Sequence, residues 1–168
     1  WTQSSGGSIT LDTVNNVAGG GALVFNLPIT GPTNSISSTS LNTIDLSALE
    51  NIGTLFYWVY LPDASTITSL ELSWGNDVST AYWKSTATTT QQGTSFVNGW
   101  NLISAPWASA TKTGSPSSTT IDSVKLLFNY SGAIQTGVKF CSLTCAPGYI
   151  FEIQYYSKYL FRDPTTSA

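Results

Sequence analysis

Nowhere in this chain do apolar residues recur at i, i+3, i+4 and i+7 over the length of an ordinary helix. Short apolar runs return instead, each closed by turn-forming residues. Strands are read near residues 8–14, 22–29, 36–46, 54–61, 67–74, 80–88, 100–106, 121–130, 134–144 and 149–156. The breaks are explicit: "AGGG", "PITGPTN", "PDAS", "WGND", and "VNGW" with its turn-favouring Asn-Gly pair. About ten short strands rich in Thr, Val, Ile and aromatics predict an all-β protein, a two-sheet antiparallel sandwich or a barrel. "SALENIG", Ser47 to Gly53, fits one helical turn capped by Ser47, because "SALE" matches the Ser-x-x-Glu capping box.

One run says more than the others. In "TLFYWVYLPD" seven apolar or aromatic residues, Leu55 to Leu61, stand in a row before a proline. Side chains alternate along a strand, so Leu55, Tyr57 and Val59 share one face and Phe56, Trp58 and Tyr60 the other. One face belongs to a core. The second must be covered by a partner, a neighbouring copy or a ligand, because contiguous exposed aromatics are unusual on a monomer.

At 168 residues the chain suits one domain, and 41% hydrophobic content is more than a disordered segment carries. Charge is scarce: 9% Asp, Glu, Lys and Arg, against about 25% on average, so polarity rests on Ser, Thr, Asn and Gln. The six basic residues are scattered and the net charge is -3, which excludes the basic stripe that nucleic-acid binding needs. No apolar run approaches the roughly 20 residues of a membrane span, and "WTQSSGGSIT" has neither the charged start nor the apolar core of a signal peptide. A chain that opens on Trp1 and contains no Met reads as processed or as a piece of something longer. Cys141 and Cys145 would share a face of a regular strand about 13 Å apart, too far for a disulfide unless the strand breaks into a turn. Free, buried thiols are the simpler reading.

The order of landmarks is informative: "GGGALVFNL", "TIDLSALENIGTLFYWVYLPD", "ITSLELSWGND", "NGWNLISAPW" and "IDSVKLLFNYSGAIQTGVKFCSL". Over residues 20–162 this order resembles the carbohydrate-binding-module-like jelly-roll domains, galactose-binding or concanavalin-like. With "WGND", "NGWN" and the trailing "YYSKYLFRD" it looks most like modules embedded in the virion proteins of tailed bacteriophages. The resemblance implies an antiparallel jelly-roll β-sandwich of about ten short strands over residues 1–148. Residues 149–168 then form a final strand or a linker to a further domain or subunit. One departure concerns calcium: many such domains carry Asp-Asp or Asp-Asn in the last strand, where this chain has "GVKFCSL".

Sugars are held by aromatic rings stacked on the apolar face of the pyranose, with amides and carboxylates on the hydroxyls. Trp83 with Tyr82 in "TAYWKST", and Trp74 with Asn76 and Asp77 in "SWGND", supply that combination near strand ends. Trp58 and Trp100 are read as core or as ligand contact. Phe56, Trp58 and Tyr60 form the surface for a subunit or a ligand. Asp12, Asp45, Asp77 and Asp122 are the oxygen donors from which a structural calcium site would be drawn, against the plainer role of aspartate in turns; no other cofactor or metal is implied.

Catalysis is poorly supported. Glycoside hydrolysis needs two carboxylates about 5–9 Å apart, and only Glu71, Asp77 and Glu152 invite a test. Without histidine there is no Ser-His-Asp or Cys-His hydrolase, and "VAGGGALVF" lacks the Lys and Ser/Thr of a phosphate loop. The sequence therefore reads as a non-enzymatic, extracellular or virion-surface structural or decoration module. Its partners are other virion subunits, copies of itself or a host glycan, with no nucleic acid and no membrane. The alternative is a secreted carbohydrate-binding module attached to a polysaccharide-degrading enzyme.

Overall fold

A computed structural model describes residues 1–29 and 31–147. Eleven strands run in chain order: β1 (Thr2–Gln3), β2 (Thr10–Asp12), β3 (Ala22–Leu27), β4 (Thr33–Ser38), β5 (Gly53–Leu61), β6 (Ile67–Asp77), β7 (Ala81–Ala87), β8 (Gly99–Pro106), β9 (Thr111–Thr113), β10 (Ser123–Tyr130) and β11 (Gln135–Pro147). They form two antiparallel sheets. The six-stranded sheet has the order β1-β4-β10-β6-β7-β9 and the five-stranded sheet β2-β3-β11-β5-β8. This is the jelly-roll β-sandwich expected from the sequence. Among the described residues, no helix is long and apolar enough to cross a membrane.

Period-2 alternation selects what lies between the sheets. Leu55, Tyr57, Val59 and Leu61 of β5 point inward with Ile103 of β8 and Val138 of β11, and meet Leu70, Leu72 and Trp74 of β6 and Leu126 and Phe128 of β10. Each fully buried side chain of this kind contributes about 1.5–3 kcal/mol, so this layer dominates stability. An edge-to-face pair, Phe25 against Phe128 at 5.4 Å, packs one part of the core, and three tryptophans pack another. Trp107, on a single 3-10 turn (Trp107–Ser109), stands edge-on to both Trp74 (5.6 Å) and Trp83 (5.0 Å).

Several local expectations need correction. The turn in "SALENIG" is a 3-10 turn over Ser47–Leu49, and Ser47 lies inside it instead of capping it. The carboxylate of Asp45 accepts the Ser47 N–H at 2.9 Å, while Glu50 accepts from the Ser118 hydroxyl. The strand expected at 36–46 begins earlier and ends at Ser38. β1 and β9, edge strands of two and three residues, are too short to carry an alternation. The strand expected at 149–156, with Glu152, lies outside the described residues.

β11 contains a bulge. Cys141 is opposite Trp58 and Thr144 opposite Phe56, so Ser142 and Leu143 together face the single residue Tyr57. Ser142 takes up the irregularity at φ 52. The extra residue inverts the alternation, placing Cys141 on the side of Trp58 and Cys145 on the side of Leu55. The regular strand assumed from the sequence would have put them on one face. Both thiols are free.

Candidate functional site

The residues singled out around "SWGND" and "TAYWKST" do not assemble into a platform. Trp74 and Trp83 face each other across β6 and β7 on the inner side, 0% and 3% exposed, with Trp107 against both rings. Neither has a face open to a sugar in this structure, which corrects the expectation that they stack on a ligand. Tyr82 turns to the outside and is half-buried. Asn76 fastens the segment before β10: its amide nitrogen donates to the Thr120 carbonyl at 2.6 Å and its oxygen accepts the Ser117 N–H at 2.6 Å. Asp77 closes the β6–β7 turn, accepting from the Ser79 N–H at 2.7 Å and the Thr80 hydroxyl at 2.8 Å. Those bonds hold its carboxyl below the usual carboxylate range.

The two outer faces of the sandwich differ sharply. On the six-stranded sheet the outward positions of adjacent strands are Ser35 and Ser37, Lys125, Leu127 and Asn129, Ser69, Glu71 and Ser73, Lys84 and Thr86. That face is polar apart from Leu127, with Ser35 and Ser73 buried in it. On the five-stranded sheet one row runs Thr10, Val24, Lys139, Tyr60, Trp100 and the next Cys141, Trp58, Leu102. Trp58, Tyr60, Trp100 and Leu102 are partly exposed, whereas Phe56 of the same face is 3% exposed. Of the three residues expected to form a contact surface, Trp58 and Tyr60 are thus available and Phe56 is buried.

Trp100 is brought to Tyr60 by the β5–β8 register, with ring centroids 5.5 Å apart at 71°. Asn101 holds β8 in place by turning inward, bonding both the N–H and the carbonyl of Val97 and the carbonyl of Gly99. The connection from β7 to β8 then folds along the free edge of β8, where the Gln91 N–H donates to the Leu102 carbonyl at 2.8 Å. A depression of about 200 Å³ results, walled by Trp58, Trp100, Leu102, Thr90, Gln91 and Gln92. The side-chain oxygen of Gln91 has no hydrogen-bond partner among the described residues.

Charge on this face cancels locally. The Lys139 ammonium lies 2.7 Å from the Asp12 carboxylate and 5.4 Å from the centre of the Tyr60 ring. The Asp12 carboxylate also accepts the N–H groups of Val14 and Asn15, each at 2.9 Å. The Asn15 N–H first, then Lys139, hold its carboxyl far below the usual range.

The other carboxylates have structural partners. Asp45 bonds Ser47, and Asp122 accepts from the Ser123 hydroxyl. All four aspartates considered for calcium thus serve turns or strand ends, and among the described residues no three Asp, Glu, His or Cys side chains gather as a metal would require. Glu71 pairs with Lys84 at 3.2 Å on the polar face.

No family model and no curated protein matches this chain in sequence. Solved structures do match in fold. A family 30 carbohydrate-binding module of the cellulosomal cellulase Cel9D-Cel44B of Clostridium thermocellum superposes with TM-score 0.60 at 12% identity, over 83% of this chain and 82% of that one. A family 11 carbohydrate-binding module from the same organism, in complex with a β-1,3-1,4-mixed-linked tetrasaccharide, gives 0.51 at 13%, over 87% and 86%. An arabinose-bound α-L-arabinofuranosidase, MgGH51, gives 0.55 at 11%, with 88% of this chain on 23% of the enzyme. At these identities what is shared is the architecture: this chain has the jelly-roll sandwich also found in carbohydrate-binding modules.

Proposed function

We propose that this chain is a non-catalytic carbohydrate-binding module whose ligand lies across the outer face of the five-stranded sheet, on Trp58, Tyr60 and Trp100. The observation that carries the reading is the contrast between the two outer faces: one is chiefly Ser, Thr, Asn, Glu and Lys and has no aromatic ring among the positions named, while the other carries the partly exposed rings of Trp58, Tyr60 and Trp100. Such rings offer π faces to the C–H groups of a pyranose, and Thr90, Gln91 and Gln92 beside them offer hydroxyl and amide groups for sugar hydroxyls. The fold shared with carbohydrate-binding modules supports this assignment. A non-catalytic role accords with the partners of Glu71 and Asp77, whose carboxylates are engaged by Lys84 and by the β6–β7 turn.

The module serves equally in either setting expected from the sequence, as a surface element of a virus particle or as an appendage of a polysaccharide-degrading enzyme. The test is a glycan array followed by calorimetric titration of the best ligand against wild type and Trp58→Ala/Trp100→Ala. Binding that disappears in the double variant, with the circular dichroism spectrum retained, is the expected result. An array without hits, or a ligand held equally well by the variant, overturns the proposal. Light scattering on the same samples distinguishes the subunit-contact reading, in which wild type associates and the double variant is monomeric.

A further inference from the structure

We propose that Asn98 is a modification site: it surrenders its side-chain amide to the backbone nitrogen that follows it, and the isoaspartate that results displaces Trp100. Asn98 and Gly99 are the one Asn-Gly pair in the chain. The chemistry needs only water. The Gly99 backbone nitrogen, giving up its proton, attacks Cγ of Asn98; ammonia leaves and a cyclic imide closes. Water then opens the imide at one carbonyl to give aspartate, or at the other to give isoaspartate, whose main chain runs through the former side chain. Two features favour the first step. Glycine has no Cβ to crowd the attacking nitrogen, and at Gly99, with φ 101, even an added Cβ would meet nothing within 4 Å. Asn98 is exposed and immediately precedes β8, whose first pairing, Gly99 with Leu61, is the end of the ladder and opens at least cost.

The surroundings decide what each product does. Asn101, 2% exposed, clamps both neighbours of Asn98. Its side-chain oxygen accepts the Val97 N–H at 2.9 Å, and its amide nitrogen donates to the Val97 carbonyl at 2.8 Å and the Gly99 carbonyl at 3.0 Å. Asn98 is the apex between them, and its Oδ1 accepts the Ala64 N–H at 2.8 Å. Aspartate keeps both the backbone length and an oxygen for Ala64. Isoaspartate inserts one more carbon into the main chain between Val97 and Gly99, so the spacing that lets Asn101 hold both residues is lost. The displacement falls on Trp100, which lies between Gly99 and Asn101 with its ring 5.5 Å from that of Tyr60. Trp100 is one of the rings proposed above to carry ligand; the reaction itself does not depend on that role.

The full chain is held in mildly alkaline and in mildly acidic buffer, sampled over time, and digested in acid for mass spectrometry that separates aspartate from isoaspartate. Asn42, also exposed, outside the strands and followed by Thr43, is the control within the same molecule. The Asn98 peptide is expected to convert first, and faster in alkali, with isoaspartate among its products. The Trp100 indole N–H resonance is expected to leave its original position in step with the isoaspartate fraction, and to stay near that position in Asn98→Asp. Asn98 that survives until Asn42 has converted, aspartate as the sole product, a Trp100 resonance indifferent to isoaspartate, or one displaced as far in Asn98→Asp, overturns the proposal. The ageing of the wild-type protein decides the matter even if Asn98→Asp does not fold.

Discussion

Tyr60 and Trp100 stand edge to face across the β5–β8 pair, 5.5 Å apart, with the Lys139 ammonium on the far side of the tyrosine. Their strands are held by core residues of opposite parity, Val59 and Asn101, so the two rings can be removed without opening the interior. Trp83 is the reverse case, a tryptophan wholly committed to the core.

The two tryptophans should therefore have opposite signatures. Trp100→Ala is expected to cost roughly 2 kcal/mol of glycan affinity, the scale of an aromatic hot spot, with little change in the urea midpoint. Trp83→Ala is expected to lower stability by about 3–5 kcal/mol. Chemical denaturation and calorimetry on both variants check this. A stable Trp83→Ala protein that no longer binds glycan would return the site to the six-stranded sheet.

Gly75 is needed where β6 meets β7. A Cβ there would lie 2.4 Å from the Ala81 carbonyl oxygen and 2.8 Å from the Tyr82 Cα, both backbone atoms with nowhere to go. Gly75→Ala is expected to destabilise by about 1–3 kcal/mol, the usual cost of overpacking. A thermal melt unchanged from wild type would show that the β6–β7 pair can widen at no cost.

Acid should weaken the fold through its turn aspartates. Asp12, Asp45 and Asp77 are all held below their ordinary range by hydrogen bonds, with Lys139 assisting at Asp12. A depressed folded-state pKa means that the contribution is complete above the unfolded value, near 4, and is lost as pH falls through the folded one. Asp12→Asn is thus expected to be less stable than wild type at neutral pH, with the gap narrowing below about pH 4. Urea midpoints measured from pH 7 to pH 2 test this; a gap that stays constant to the lowest pH would remove Asp12 from the account.

The bulge in β11 makes a redox prediction. With Cys141 and Cys145 on opposite faces, the unfolded protein should take up two equivalents of a thiol reagent without prior reduction, and reductant should leave the melting temperature unchanged. Mass spectrometry after alkylation in denaturant gives the count. Zero equivalents taken up would mean that the strand bends to join the two.

Fold class was legible because short apolar runs such as Leu55–Tyr60, and the turn-favouring residues that close them, such as Pro62-Asp63, are local signals. The site was legible only in part. Trp58 and Tyr60, partly exposed in the structure and proposed here as ligand contacts, stood out because their strand is apolar on both faces, which leaves one face to explain. Trp83 was misplaced because its polar neighbours, Lys84 and Ser85, mask the fact that its cross-strand partner is Trp74 and that Trp107 closes over it; both relations exist only after folding. Trp100 was left open between core and contact for a related reason. In "GWNLISA" the polar Asn101 points inward and the apolar Trp100 and Leu102 outward, an inversion made affordable by the bonds that Asn101 makes to Val97 and Gly99. The Asp12–Lys139 pair spans most of the chain and leaves no local trace.

β5 carries a liability along with the role proposed for it. Leu55 to Tyr60 is an uncharged, proline-free, strongly β-forming hexapeptide, the composition that lets identical segments stack into cross-β fibrils. In the folded protein both of its backbone edges are occupied, one by β8 and the other by β11. β11, however, is the last of the described strands to be synthesised, so one edge of the most adhesive segment in the chain stays open until nearly the whole sandwich has emerged. The same aromatic side chains that are partly exposed on folded β5 make the interval before β11 docks the time of greatest exposure to self-association.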